Sequence, residues 1–175
     1  MTPSITESNV FQALGDFLAN ILPVGTAVVR GQQNRVAEPA GTNYAVMWPL
    51  NRERIALNTD SYTSIARNVV QAMKITLQVD LHGSASAENA TLLSTLARDE
   101  YGVNFFASDT LGALGIQPLY TSEPRQMPFM DGEQQSEEKW TVEVTMQVNP
   151  VISLPQDSAN QLSVKTISNV STFKA

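Results

Sequence analysis

The chain has no cysteine in its 175 residues. Disulfides, thiolate zinc sites, iron–sulfur clusters and cysteine nucleophiles are therefore excluded. Histidine occurs once, at His82, so a histidine-based metal cluster is excluded too. His82 stands at a strand end beside Gly83, and no G-x-S-x-G elbow presents a nucleophile to it. It reads as a solvated or hydrogen-bonded side chain rather than a catalytic one. Gly25, Gly31 and Gly41 do not make a phosphate loop, and G-x-x-x-x-G-K-[ST] is missing. Aromatics are few, at 7%, and are not interleaved with bases, so no stacking platform for single-stranded nucleic acid is visible. No apolar run approaches the roughly 18 residues that span a bilayer. The N-terminal stretch lacks the basic start and apolar core of a signal peptide. The expectation is a soluble protein made in a cytoplasm, with no membrane partner.

Charge is also scarce. Charged residues make up 16% of the chain, and Ser, Thr, Asn and Gln take their place. An apolar content of 42% argues for a folded, β-rich protein and against disorder. The net charge of −6 argues against general affinity for nucleic acid. Its distribution is uneven. Arg30 to Arg67 holds five arginines and three acids, a net of +2; Glu123 to Glu143 holds six acids and two bases, a net of −4. Opposed patches on one chain could meet between copies in a head-to-tail ring.

Two stretches alternate apolar and polar residues without a break: Met73 to His82 and Trp140 to Asn149. That is the period of a strand with one face in a core. The opposite faces, with Lys, Thr, Gln, Asp, Glu, Asn and His82, read as a surface for water or a partner protein. Val10, Phe11, Leu14, Phe17, Leu18, Ile21 and Leu22 form one helical stripe. A capping box is expected at Ser4-Ile5-Thr6-Glu7, and Pro23 ends the helix. Further strands are expected at Thr26 to Gly31, Asn43 to Pro49, Arg54 to Thr59 and Ile116 to Thr121. The stretch Pro49 to Glu53 reads as a turn, and the Met73 strand is expected to begin near Asn68. A second helix is expected from Glu88 to Tyr101, stopped by Gly102. Ser108 to Leu114 suggests one helical turn, and Gln161 to Phe173 a last, bulged strand.

Helices and strands do not alternate one for one. The expected fold class is therefore α+β: one domain over residues 1–175, with an antiparallel or mixed sheet packed with two helices.

The acids Asp131, Glu133, Glu137 and Glu138 lack calcium-loop spacing and read as an acidic hairpin tip. A carboxylate hydrolase would need a deep pocket holding two perturbed acids. The loop Glu123 to Glu138 is long for a hairpin and mixes Met127, Phe129 and Met130 with acids. Long loops of this kind are commonly functional, and Met and Phe suit a protein contact.

Several segments resemble a known family. They are Gly31-Gln32-Gln33-Asn34-Arg35 with Tyr44-Ala45-Val46-Met47, then Pro118-Leu119-Tyr120, Pro124-Arg125-Gln126, Gly132-Glu133-Gln134-Gln135 and Trp140-Thr141-Val142. In this order they resemble the neck or tail terminator proteins of contractile-tailed bacteriophages, from the first helix to Pro150. The resemblance implies a virion protein without enzymatic chemistry or cofactor. It implies a ring, commonly a hexamer, that caps the tail tube and joins it to the head-side connector. Other neck, tail-tube and sheath proteins are the implied neighbours. DNA would pass through the lumen without being read, its phosphates repelled by an acidic wall. A tail-tube or head-completion subunit is the alternative within the same class. The expected contacts between copies are Arg125, Met127, Phe129 and Glu133 on the long loop, with Arg35, Arg52 and Arg54 as basic counterparts.

Overall fold

The computed structural model describes residues 1–31, 43–108, 114–127, 129–130 and 136–157. The two alternating stretches become β5 (Met73–His82) and β10 (Lys139–Val148), paired antiparallel over ten residues, from Met73 opposite Val148 to His82 opposite Lys139. They lie in the middle of a mixed sheet. Its other strands are β1 (Ala27–Arg30), β2 (Tyr44–Arg54) and β6 (Gln117–Thr121), in the order β1-β2-β5-β10-β6, and β7 (Arg125–Gln126) also pairs with β10. Only β1 runs parallel to its neighbour, β2. One face of this sheet is apolar because Ile75, Leu77, Val79 and Leu81 align with Val142, Val144 and Met146.

Helix α1 (Glu7–Ile21) contributes the other half of the core, with Val10, Phe11, Ala13, Leu14, Phe17 and Leu18 buried. Each such side chain contributes about 1.5–3 kcal/mol on burial. Phe17 also meets Phe105 and Phe106, with ring centroids 5.3 and 5.2 Å away. The cap differs from the expected one. Thr6 is the N-cap and Asn9 its reciprocal partner, with Thr6 N donating to Asn9 Oδ1 at 2.8 Å. Ser4 instead ties the N-terminus to Val151, its amide donating to the Val151 carbonyl at 3.0 Å. Glu7 is thus left for ion pairs with Arg30 and Arg52.

The expectation of two helices is wrong: the described residues hold three. The stretch expected as one helix is split into α2 (Ser86–Leu96) and α3 (Glu100–Phe106). The break has a local cause. Asp99 turns extended and caps a new helix, its carboxylate accepting from Tyr101 N at 2.9 Å. Gly102 is then not a stop but a buried residue of α3. A Cβ there would lie 2.6 Å from the Leu96 carbonyl oxygen, so glycine lets α3 fold closely over the end of α2.

The expected turn at Pro49 to Glu53 is also absent. Strand β2 runs through it, with a register shift between Pro49 and Asn51. Proline lacks an N–H for the ladder, and a bulge is where a sheet tolerates that. Beyond β2 the chain leaves the main sheet and forms a small arm. Strands β3 (Thr59–Tyr62), β4 (Ala66–Val70) and β11 (Val151–Pro155) make its sheet, ordered β11-β4-β3. The segment near Asn68 therefore belongs to the arm and not to β5. The expected turn at Ser108 to Leu114 falls mostly on 109–113, and the expected strand Gln161 to Phe173 falls wholly outside the described residues.

The second face of the main sheet is less exposed than its polarity suggests. Asp80, His82, Thr141 and Thr145 are all buried. Asp80 accepts from Gln78 Nε2 at 2.7 Å, Thr141 Oγ1 at 2.8 Å and Lys139 Nζ at 3.2 Å. Tyr44 stacks on His82 with ring centroids 4.4 Å apart. A buried carboxylate with three donors is satisfied, so these polar residues serve the fold rather than solvent.

Two substitutions test this account. Leu14→Asp puts an unpaired charge at a fully buried helix position, and the subunit should lose its cooperative melt or become insoluble. Asp80→Ala removes the buried acceptor of Gln78, Thr141 and Lys139 and should cost about 3 kcal/mol in chemical denaturation, whereas a loss near zero would mean that this face is not packed.

Candidate subunit interface

The loop Glu123 to Glu138 is anchored at the sheet. Arg125 and Gln126 pair with Thr141 and Trp140, and Met127 N donates to the Lys139 carbonyl at 2.9 Å. The backbone then forms a two-stranded hairpin, β8 (Phe129–Met130) with β9 (Ser136–Glu137). Phe129 therefore lies on a strand rather than in open loop. Met127 is 49% exposed. Arg125 donates to Glu143 Oε1 at 2.6 Å across the strand pair, on the solvent side. Glu123 meets Arg98 at 3.2 Å. Exposed pairs of this kind contribute about 0–1 kcal/mol each.

The basic candidates lie elsewhere. Arg52 donates to Glu7 Oε2 at 2.8 Å. Arg30 reaches the other oxygen of that carboxylate while its guanidinium sits 4.1 Å from the centre of the Phe11 ring. Arg54 donates from Nε at 2.5 Å and Nη2 at 3.0 Å to the Gln71 amide oxygen, with the amide turned to face it. Arg35 and Glu133 fall outside the described residues. Arg125 is level with Asp80 on β5, and Arg54 with Met73. Seven strand residues separate these levels, roughly 23 Å at about 3.3 Å per residue. The structure thus places Arg125 and Met127 at one end of the sheet, with the Phe129 backbone two residues further along the chain. It brings Arg52 and Arg54 together at the other end, and it does not join the two groups within the chain.

The feature that sequence reasoning missed is the arm. Leu57, Tyr62 and Ile65 are 86%, 62% and 76% exposed, and Ile55 and Ile152 are exposed beside them. All four residues of β3 are exposed. Apolar side chains gathered on a small sheet make an exposed apolar patch of the kind that contact surfaces use. The arm is nonetheless firmly built. Thr63 N donates to the Ala66 carbonyl at 2.8 Å, Thr63 Oγ1 accepts from Ala66 N at 3.0 Å, and Gln156 N donates to the Ile65 carbonyl at 3.1 Å. Arg67 binds Asp60 at 2.7 Å, and that hydrogen bond raises the guanidinium pKa above its ordinary value. The available sign in the sequence was the pair Gln71-Ala72, where the alternation of β5 stops and a strand of different phase precedes it.

Nothing among the described residues has the form of a catalytic or metal centre. They hold no group of three or more His, Asp or Glu placed to share a cation, and none of their helices is long and apolar enough to cross a membrane. A groove of about 480 Å³, open to solvent, lies between α1 and the β1 edge.

No curated protein matches the chain. Among solved structures, the chain is similar to the sheath/tube terminator of an extracellular contractile injection system, PVC, seen in the extended state. The identity is 13% and the TM-score 0.44, over 97% of this chain and 66% of that one, so this chain spans just under two thirds of the other's length. The family model described as phage neck terminator protein matches residues 8–171, which include the core helix, both long central strands, the arm and the anchored loop. The chain belongs to the phage neck terminator proteins, structural components of the virion neck.

Proposed function

We propose that the chain works as one α+β domain, repeated around a closed ring of identical subunits seated on the tail tube. Six is the number that the resemblance to contractile-tail terminators implies. The observation that carries this reading is the separation of the two candidate contact regions. The loop at Arg125 to Phe129 and the basic, apolar end at Arg52, Arg54 and the arm lie at opposite ends of one sheet. Arg125 and Met127 at the one end, and Arg52, Arg54 and β3 of the arm at the other, are exposed, and only a second copy can bring one against the other. Such a contact is heterologous, and a heterologous contact closes into a ring when its rotation divides the circle. A ten-residue central pairing makes the sheet stiff enough to hold that rotation constant.

The partners follow from position. The faces of the ring would meet tail-tube, sheath and other neck proteins. Its lumen would pass DNA without reading it, since a net charge of −6 supplies no excess of phosphate-binding bases. Arg52 and Arg54 already hold Glu7 and Gln71 within the chain, so they would serve at the rim of a contact. Met127 and Phe129 would supply its apolar centre.

Native mass spectrometry with negative-stain imaging tests the reading. The purified chain should give one closed species of fixed subunit number. Deleting residues 126–136 should leave the melt of the subunit intact and abolish that species. Open stacks of indefinite length would indicate a tube subunit instead, and a strictly monomeric chain would remove the ring.

A further inference from the structure

We infer that the tip of the arm, Tyr62 to Ile65, seats in the groove between α1 and β1 of the next copy of this chain. The inference rests on the ring reading above and names the surfaces that would close it.

The groove has a form that suits such an insert. Phe11, Val28 and Met47 give it apolar walls, Arg30 lies over the Phe11 ring and is paired with Glu7, and Gln12 and Asp16 form its rim. Both rim residues are exposed, and Gln12 Nε2 donates to Asp16 Oδ1 at 2.7 Å, which leaves the other carboxylate oxygen for an incoming donor. The arm presents matching chemistry. Tyr62 has an apolar ring and a hydroxyl that can donate to Asp16, and Ile65 brings only hydrocarbon for the apolar walls. Arg67 is level with Tyr62 across the β3–β4 ladder, so both side chains stand on one face. Its pairing with Asp60 uses one of five guanidinium donors, and its positive charge would approach the acidic rim.

The occupant is a second copy because the chain cannot fill its own groove. Met47 lies in the groove, and Arg54 stands at the foot of the arm, seven strand positions on, roughly 23 Å at about 3.3 Å per residue. Tyr62 and Ile65 remain exposed beyond that. One chain thus carries a projection at one end of its sheet and a fitting recess near the other, which is the arrangement of a head-to-tail contact. The tip is already ordered by Thr63, Ala66 and Gln156, so little conformational entropy would be lost on docking.

The lack of native cysteine makes the test direct. In the full-length chain, Gln12→Cys and Ile65→Cys are introduced together and singly, both at exposed positions, and the assembled protein is mildly oxidised. The double variant should give a ladder of covalent multimers above the dimer on a denaturing gel, absent from either single variant. Tyr62→Ser with Ile65→Ser should lose the ring while the subunit's melting temperature is kept. A double variant that assembles but forms no ladder overturns this contact and leaves the ring reading standing. A fast-migrating, internally linked monomer overturns it by showing that the arm folds back. If the unsubstituted chain never assembles, the ring reading falls and this contact with it.

Discussion

The ten-residue pairing of β5 with β10 is the constraint on which the rest depends. It aligns two perfect alternations, so every apolar residue of one strand lies beside an apolar residue of the other. A slip of one residue would turn Ile75, Leu77, Val79 and Leu81 to the wrong face, so the register is strongly specified. On that fixed face α1 lays Leu14, Phe17 and Leu18, and α2 and α3 add Leu93 and Phe106. The same pairing sets where function can sit. Its Lys139 end carries the anchored loop with Arg125 and Met127, and its Met73 end carries the arm.

A terminator needs a rigid body with distinct contact regions at fixed angles, and the structure spends its polar residues accordingly. Asp80, Thr141, Gln78 and Lys139 form an inward network that stiffens the sheet. Glu7 gathers Arg30 and Arg52 and holds α1 against β1 and β2. Low charge elsewhere leaves room for apolar contact: Leu57, Tyr62, Ile65 and Met127 stay exposed at two ends of the molecule.

Much of this was legible in the sequence, for a physical reason. Alternation marks a strand only when its two faces meet different surroundings, and β5, β10 and α1 all border one core. Where burial is uniform the signal fails. Strand β3 is exposed on both faces and has no alternation to read, so the arm went unseen. Strand β2 passes Pro49 through a bulge, and proline with Asn51 looked like a turn. The split of α2 from α3 turned on Asp99 acting as a cap and Gly102 as a close-packing residue, roles that depend on a neighbouring helix end. Asp80, His82 and Thr141 looked like a solvent face because a satisfied buried polar group has the same letter as an exposed one. Of the proposed contact residues, Arg125, Met127 and Phe129 were picked out by loop length and composition. The apolar arm was not.

The central claim is that two opposite ends of one stiff sheet are the surfaces that join neighbouring copies. Hydrogen–deuterium exchange on the free and the assembled chain measures this directly. The account predicts that amides of 57–66, of the outer side of α1, and of 125–130 slow on assembly, while β5 and β10 are slow in both states. Protection confined to other segments, or an assembled chain whose arm amides exchange as fast as in the free subunit, would contradict it.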